Sequence, residues 1–185
     1  MNRVEALVKA WASHVAVHWT RGLAGGEKVW FCVYDKADER RLRLHLPEFE
    51  GAAKKAGHGW AAVDLTDAFA AWMAAEEYRD AYFEDPASLD RDKLVDFRAH
   101  LVDLLTPTLA EAGEDDVVAL TGVAALFGFL RVSELVHALE PHIRGRLVVF
   151  FPGEYENGNY RFLDARDGWS YRAVPILPAE GAFAS

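Results

Sequence analysis

The sequence predicts an α/β fold of three layers, with a mostly parallel sheet between two layers of helix. Three observations carry this expectation. The runs "KVWFCVYD" (28–35), "VVALT" (117–121) and "LVVFF" (147–151) are aromatic, aliphatic or β-branched almost throughout, the pattern of strands buried on both faces. Segments with apolar residues at helical spacing separate these runs, as crossover helices between parallel strands require. The chain has 185 residues, 51% of them hydrophobic and 12% aromatic, which is enough to bury a full core in one domain.

The elements follow in order. Val4, Leu7, Val8, Trp11, Val15 and Trp19 recur at helical spacing and predict an amphipathic helix over about 3–19. His14 and His18 stand four apart on it, a spacing that can hold a metal. No third ligand and no H-E-x-x-H glutamate accompanies them, so they read as packing or surface residues. "LAGGEK" breaks this helix, and the first strand follows. In "KADERRLRLHLPEFEGAAKKAG", Leu42, Leu46, Phe49 and Ala53 hold helical register, with Pro47 expected to kink the segment or start its second half. "GWAAVDL" is a second, shorter strand. "TDAFAAWMAAEEYRDAYF" reads as one helix with Phe69, Trp72 and Met73 on its buried side. "DPAS" is a break, Ser88 is the expected N-cap of a helix over 89 to about 105, and Pro107 marks its kink or end.

The third strand, Val117 to Thr121, follows the turn "GED". A loop and helix lie in "VAALFGFLRVSELVHALEPHI", and "GRLVVFF" is the fourth strand. Pro152-Gly153 then reads as a tight corner, a type II turn that would need positive φ at Gly153, and Asn157-Gly158 is a second turn signal. Short strands are expected over Tyr160–Asp164 and Ser170–Val174. With no repeat, low-complexity stretch or linker, residues 1–185 read as one domain, with its core over about 28–176 and a frayed tail over 177–185.

Composition narrows the function. The net charge of -9 works against non-specific nucleic-acid binding, while leaving room for a local basic patch. Cys32 is the single cysteine, so neither an internal disulfide nor a multi-cysteine metal site is available. No apolar run approaches the ~20 residues of a membrane span. The first twenty residues are interrupted by charges and unlike a signal peptide, so the cytoplasm is the expected location.

Ligands of open α/β sheets bind at the carboxyl ends of the strands. Here those ends carry Asp35, Asp64, Gly122 and the Phe151-Pro152-Gly153 corner. A phosphate loop needs glycines, whose backbone N–H groups surround the phosphates, followed by a lysine. After the first strand this chain reads "DKADERR". Ser133 does not stand on a G-x-S-x-G elbow, so no nucleophilic triad is indicated. These tests assign no catalytic, cofactor-binding or metal residue. The alternative is a metal-dependent nuclease or phosphohydrolase that uses the strand-end acids Asp35, Asp64 and Asp164 with Glu154, or a residual nucleotide-binding module. The other reading is an interaction surface built from Pro152, Gly153, Glu154, Tyr155, Arg166 and Trp169, which include residue types that dominate protein interfaces.

The ordered set "WFCVYD", "GHGWAAVDLTDAFAAWM", "EYRDAYFEDP", "TGVAALFGFLRVSELV" and "GRLVVFFPGEYENGNYRFLDARDGWSYRAVPI" resembles the BrxB family of BREX phage-exclusion systems, from about residue 28 to 176. The resemblance implies a non-catalytic adaptor or assembly component of a bacterial anti-phage complex. Its expected companions are a large ATPase, an adenine DNA methyltransferase and a PglZ-type phosphatase-like protein, the last as direct partner. It also implies a P-loop-NTPase-type core that has lost its nucleotide motif. It carries over no catalytic residue.

Overall fold

Residues Val29–Tyr34 form β1, and all six are buried. Their side chains alternate between two separate cores, as the two-residue period of a strand dictates. Val29, Phe31 and Val33 face one core, and Trp30, Cys32 and Tyr34 face the other. The same alternation runs through β3 (Asp116–Thr121) and the first half of β4 (Arg146–Glu156). The computed structural model describes residues 1–165 and 168–179. It is an α/β fold with a mostly parallel sheet, as expected.

The parallel strands run in the order β2 (Gly59–Asp64), β3, β4, β1, β7 (Val174–Ile176). On one face lie α1 (Arg3–Val15) and α2 (Glu39–Lys55). Trp11 is fully buried there, and its indole N–H donates to the Phe49 carbonyl at 2.8 Å, tying the two helices together. On the other face lie α3 (Ala68–Ala74), α5 (Arg91–Glu111) and α6 (Val132–Leu139), with α4 (Arg79–Glu84) between α3 and α5 in the chain. Phe97, Leu101, Leu105 and Leu109 form the buried stripe of α5 at helical spacing.

Several local expectations are corrected where tertiary packing or a better cap prevails over local pattern. α1 stops at Val15, and Trp19 packs from the following segment instead. It meets Trp30 edge-on at 5.4 Å, stacks on His58 at 3.6 Å and lies 4.8 Å from the buried Arg146 guanidinium. The segment expected as one helix over 66–83 divides into α3 and α4, and Arg79 donates to the Ala74 carbonyl left open at the break. The N-cap of α5 is Asp90, whose carboxylate accepts from the Lys93 N–H at 2.9 Å, while Ser88 donates to the Asp85 carbonyl. Pro107 lies inside α5 at an exposed position, where the missing N–H leaves the carbonyl of the exposed Asp103 on the solvent side.

A further correction concerns Pro152-Gly153. No turn occurs there, and Gly153 does not have positive φ. β4 runs straight through both residues for eleven in all. Up to Pro152 it pairs in parallel with β1, and from Gly153 it pairs antiparallel with β5 (Asn159–Phe162). Burial changes at the same point, from continuous to alternating. Proline is tolerated in this interior strand because it stands where one ladder hands over to the other, and its carbonyl still accepts from Leu163 at 2.9 Å. The reversal comes at Asn157-Gly158, with φ of 52° and 81°, a two-residue hairpin turn of the I′ kind. β6 (Trp169–Ser170) extends this small antiparallel ladder.

Gly153 is needed for space: a Cβ would overlap the Arg161 carbonyl oxygen across the hairpin. Gly51, by contrast, lies in α2 with nothing near the place of its missing Cβ. Gly153→Ala is expected to lower unfolding free energy by ~1–3 kcal/mol through overpacking. Gly51→Ala is expected to raise it by ~0.5–1 kcal/mol through helix propensity. Urea denaturation of the two variants checks both signs.

Candidate functional site

β1 is followed in the chain by β2 on one side of it and has β7 on the other, so the sheet changes direction beside β1. Such a switch point leaves a crevice at the carboxyl ends of the strands. A crevice of about 350 Å³ opens there, next to the pair Tyr34 and Pro152. Arg3, Asp35, Lys36, Gly153, Glu154 and Asp164 are among its lining residues. The structure thus brings four of the sequence-predicted residues, Asp35, Gly153, Glu154 and Asp164, to one place.

The carboxylates in this crevice are all engaged. Asp35 accepts from the Ala37 N–H at 2.9 Å, capping the 3₁₀ turn Lys36–Asp38, and from Arg3 at 3.0 Å. The turn that follows β1 is therefore closed by its own aspartate, at the place where a phosphate loop would present open N–H groups. Asp164 pairs with Lys36, and Glu154 pairs with Arg161 across the hairpin. Tyr34 reaches Glu39, and burial together with that carboxylate raises its phenol well above the usual range.

Asp64 lies elsewhere. It ends β2, three strands from β1, a separation of roughly 14 Å at ordinary strand spacing. Its carboxylate accepts from the Thr66 N–H at 3.0 Å, the Thr66 hydroxyl at 2.5 Å and Arg43 at 3.0 Å. Burial pushes the Asp64 pKa up, but these bonds prevail and hold it below its ordinary value. Gly122 packs against this turn with φ of 73°, and a Cβ on it would overlap Asp64 and Thr66. Among the described residues, no three His, Cys, Asp or Glu side chains stand together as a metal site.

The predicted interaction residues fall in two settings. Pro152 is buried, Gly153 and Tyr155 are half-buried, and Glu154 is exposed on the hairpin. Tyr155 packs on Tyr160 at 4.7 Å. Trp169 is half-buried and belongs to an aromatic cluster, with ring centroids 5.3 Å from Tyr160, 5.8 Å from Phe151 and 5.9 Å from Phe31. Arg166 lies outside the described residues. Sequence reasoning missed Arg3, Lys36 and Arg43, the cations that hold the strand-end acids. Lys36 directly follows Asp35, yet its partner Asp164 is 128 positions away, which no local pattern reveals.

The fold and site together define an α/β protein whose first strand leads into an aspartate-capped turn. A family profile described as "BREX protein BrxB" matches residues 62–176, more than half of the chain. The chain belongs to the BrxB family, and its role is associated with the BREX antiviral defence system. No curated protein and no solved structure matches it. No helix among the described residues is long and apolar enough to cross a membrane.

The depressed pKa of Asp64 has a pH consequence. A carboxylate whose pKa is lower folded than unfolded adds stability above the unfolded pKa and loses it as pH falls through the folded one. Asp64→Asn is therefore expected to lower the melting temperature at pH 7, with the gap to the parent closing as pH drops below ~4. Because Asp64 is half exposed, added salt should also narrow the gap. Melting scans across pH and salt check both dependences.

Proposed function

We propose that this protein is a non-catalytic adaptor or assembly component of a BREX complex, acting through protein contacts made at the carboxyl edge of its sheet. The observation that carries the reading is the engagement of the edge carboxylates. Asp35 caps a turn and pairs with Arg3, Asp64 organises the turn beside Gly122, and Asp164 and Glu154 each hold a cation of the chain. A general base or a metal ligand needs a carboxylate free to meet substrate or ion. Carboxylates committed to capping and ion pairs serve the fold.

The surface proposed for contact is the β4–β5 hairpin with its neighbours, from Pro152 to Trp169. It projects from a strand anchored in both cores, so its backbone is held at little further entropic cost. Tyr155 and Glu154 offer an aromatic body and a charge on the same arm. Pro152 and Gly153 act as its root, and Trp169 braces it from the aromatic cluster. The other proteins of the defence system are the proposed partners, with the PglZ-type phosphatase-like protein as the direct one. Nucleic acid is met only through the assembled complex, in keeping with the net charge of -9. The reading treats the fold as a P-loop-NTPase-type core that has given up its nucleotide site, supported by the aspartate-capped turn after β1.

Glu154→Lys and Tyr155→Ala test the surface, combined with a pull-down of the PglZ-type protein by the tagged chain. Glu154 is exposed, so its variant is expected to melt within a few degrees of the parent and yet recover much less partner, since one interface truncation can cost ~2 kcal/mol or more. Full recovery by both folded variants would contradict the proposed surface.

A further inference from the structure

A second surface is built for a partner of a definite kind. A groove of about 830 Å³ runs between α5, the start of α6 and β6. Its apolar lining includes Val95 and Phe127, which are 45% and 46% exposed, and Trp169. Arg91, Arg98 and Arg131 line it as well. Arg91, Val95 and Arg98 recur at helical spacing and so share one face of α5. Arg131 stands at the N-cap position of α6.

Two of these arginines have no partner among the described residues. Elsewhere Arg3, Arg21, Arg41, Arg43 and Arg161 each hold a carboxylate of the protein itself. Arg91 and Arg131 make no hydrogen bond or ion pair with any described residue, and Arg98 approaches Glu134 only to 3.6 Å. In a chain with 29 acidic and 20 basic residues, the described lining of this groove holds three arginines and one glutamate, the opposite balance of charge. An arginine over an apolar groove can fork to a carboxylate while its stem covers aliphatic or aromatic surface.

We propose that this groove docks an acidic segment of a partner protein, one in which Asp or Glu residues flank aromatic or branched aliphatic side chains. The apolar residues seat against Val95, Phe127 and Trp169, and the carboxylates meet Arg91 and Arg131. Charge complementarity selects this occupant. A second copy of this chain brings net negative charge but would have to present an acidic apolar segment of its own, and nucleic acid is opposed by the charge of the molecule as a whole. The inference rests on the reading of the protein as an assembly component, and its groove shares Trp169 with the Pro152–Trp169 surface but is not lined by Glu154 or Tyr155.

The test places the photocrosslinker p-benzoylphenylalanine at Phe127, and separately at Val95, in the tagged protein expressed with its complete defence locus. Crosslinked peptides are identified by mass spectrometry, and recovery of the locus proteins is measured in the same cells. The expected product is a segment of another protein of the locus with more Asp and Glu than Lys and Arg. Its yield should fall by about tenfold when Arg91→Glu and Arg131→Glu are added, as loss of close charge pairs requires. A basic or neutral segment, a second copy of the chain, nucleic acid, an unchanged yield in the charge-reversed variant, or no product from either position overturns the proposal. Recovery of the locus proteins without a groove crosslink defeats the groove alone. Loss of both defeats the assembly reading with it.

Discussion

The structure depends on the passage of β4 from one ladder into another. For its first seven residues, Arg146 to Pro152, β4 is buried and sits between β3 and β1. Beyond Pro152 the same strand becomes one arm of a hairpin, close enough to β5 that only glycine fits at 153. Most of the sheet meets in this strand. Val148 and Phe150 belong to the core beneath α1 and α2, and Leu147, Val149 and Phe151 to the core beneath α3, α5 and α6. A change in the path of β4 would shift both helical layers and the hairpin together.

The aromatic residues secure this arrangement at either end of the sheet. At the carboxyl end, Phe31, Phe151, Tyr160 and Trp169 interlock, and the buried Tyr160 hydroxyl donates to the Ala173 carbonyl at 2.7 Å, joining the hairpin to the segment before β7. At the other end, Arg146 is buried near Trp19 and Trp30 and donates to the Thr20 carbonyl at 2.8 Å, while its Nε finds no partner. Burial depresses the Arg146 pKa, a cost offset in part by the two indole faces. Burial lowers the pKa of the neighbouring His14, which lies beside Trp30, and Arg146 adds to the effect. The spacing of His14 and His18 suits a metal, but His14 spends its ring on Trp30 instead.

Much of the fold was legible because parallel strands buried on both faces write themselves as unbroken apolar runs. β1, β3 and the first half of β4 are of this kind, and the alternation between cores followed from strand geometry. The failures share a different physics. Pro152-Gly153 carries the residue types of a turn, but the glycine is required by a carbonyl on another strand, eight residues on. The end of α1 at Val15 is decided by Trp19 packing on Arg146, more than a hundred positions away. The cap at Asp90 prevailed over Ser88 by a two-residue margin that local pattern resolves poorly. At the candidate site, sequence placed Asp35 and Asp64 at the ends of β1 and β2, because that depended on strand boundaries alone, whereas Asp164 falls two residues past β5 and Glu154 inside β4. It could not supply Arg3, Lys36 and Arg43, because their pairings are set by how the layers close.

The proposed function rests on what the edge acids are already doing. The turn after β1 is closed by Asp35, the turn after β2 by Asp64, and Asp164 is joined to Lys36, so the edge that serves chemistry in many α/β proteins is here committed to holding itself together. The surfaces proposed for contact lie on the hairpin and along the α5–α6 groove. The most direct test of this account is phage plating on cells whose defence locus carries Asp35→Asn, Asp64→Asn and Asp164→Asn together, with soluble protein matched to the parent. The account predicts that protection is kept, because the amides cost stability but, at a matched level of folded protein, remove no group that acts on a substrate or ion. Protection abolished at an unchanged level of folded protein would contradict it and give these carboxylates a chemical role.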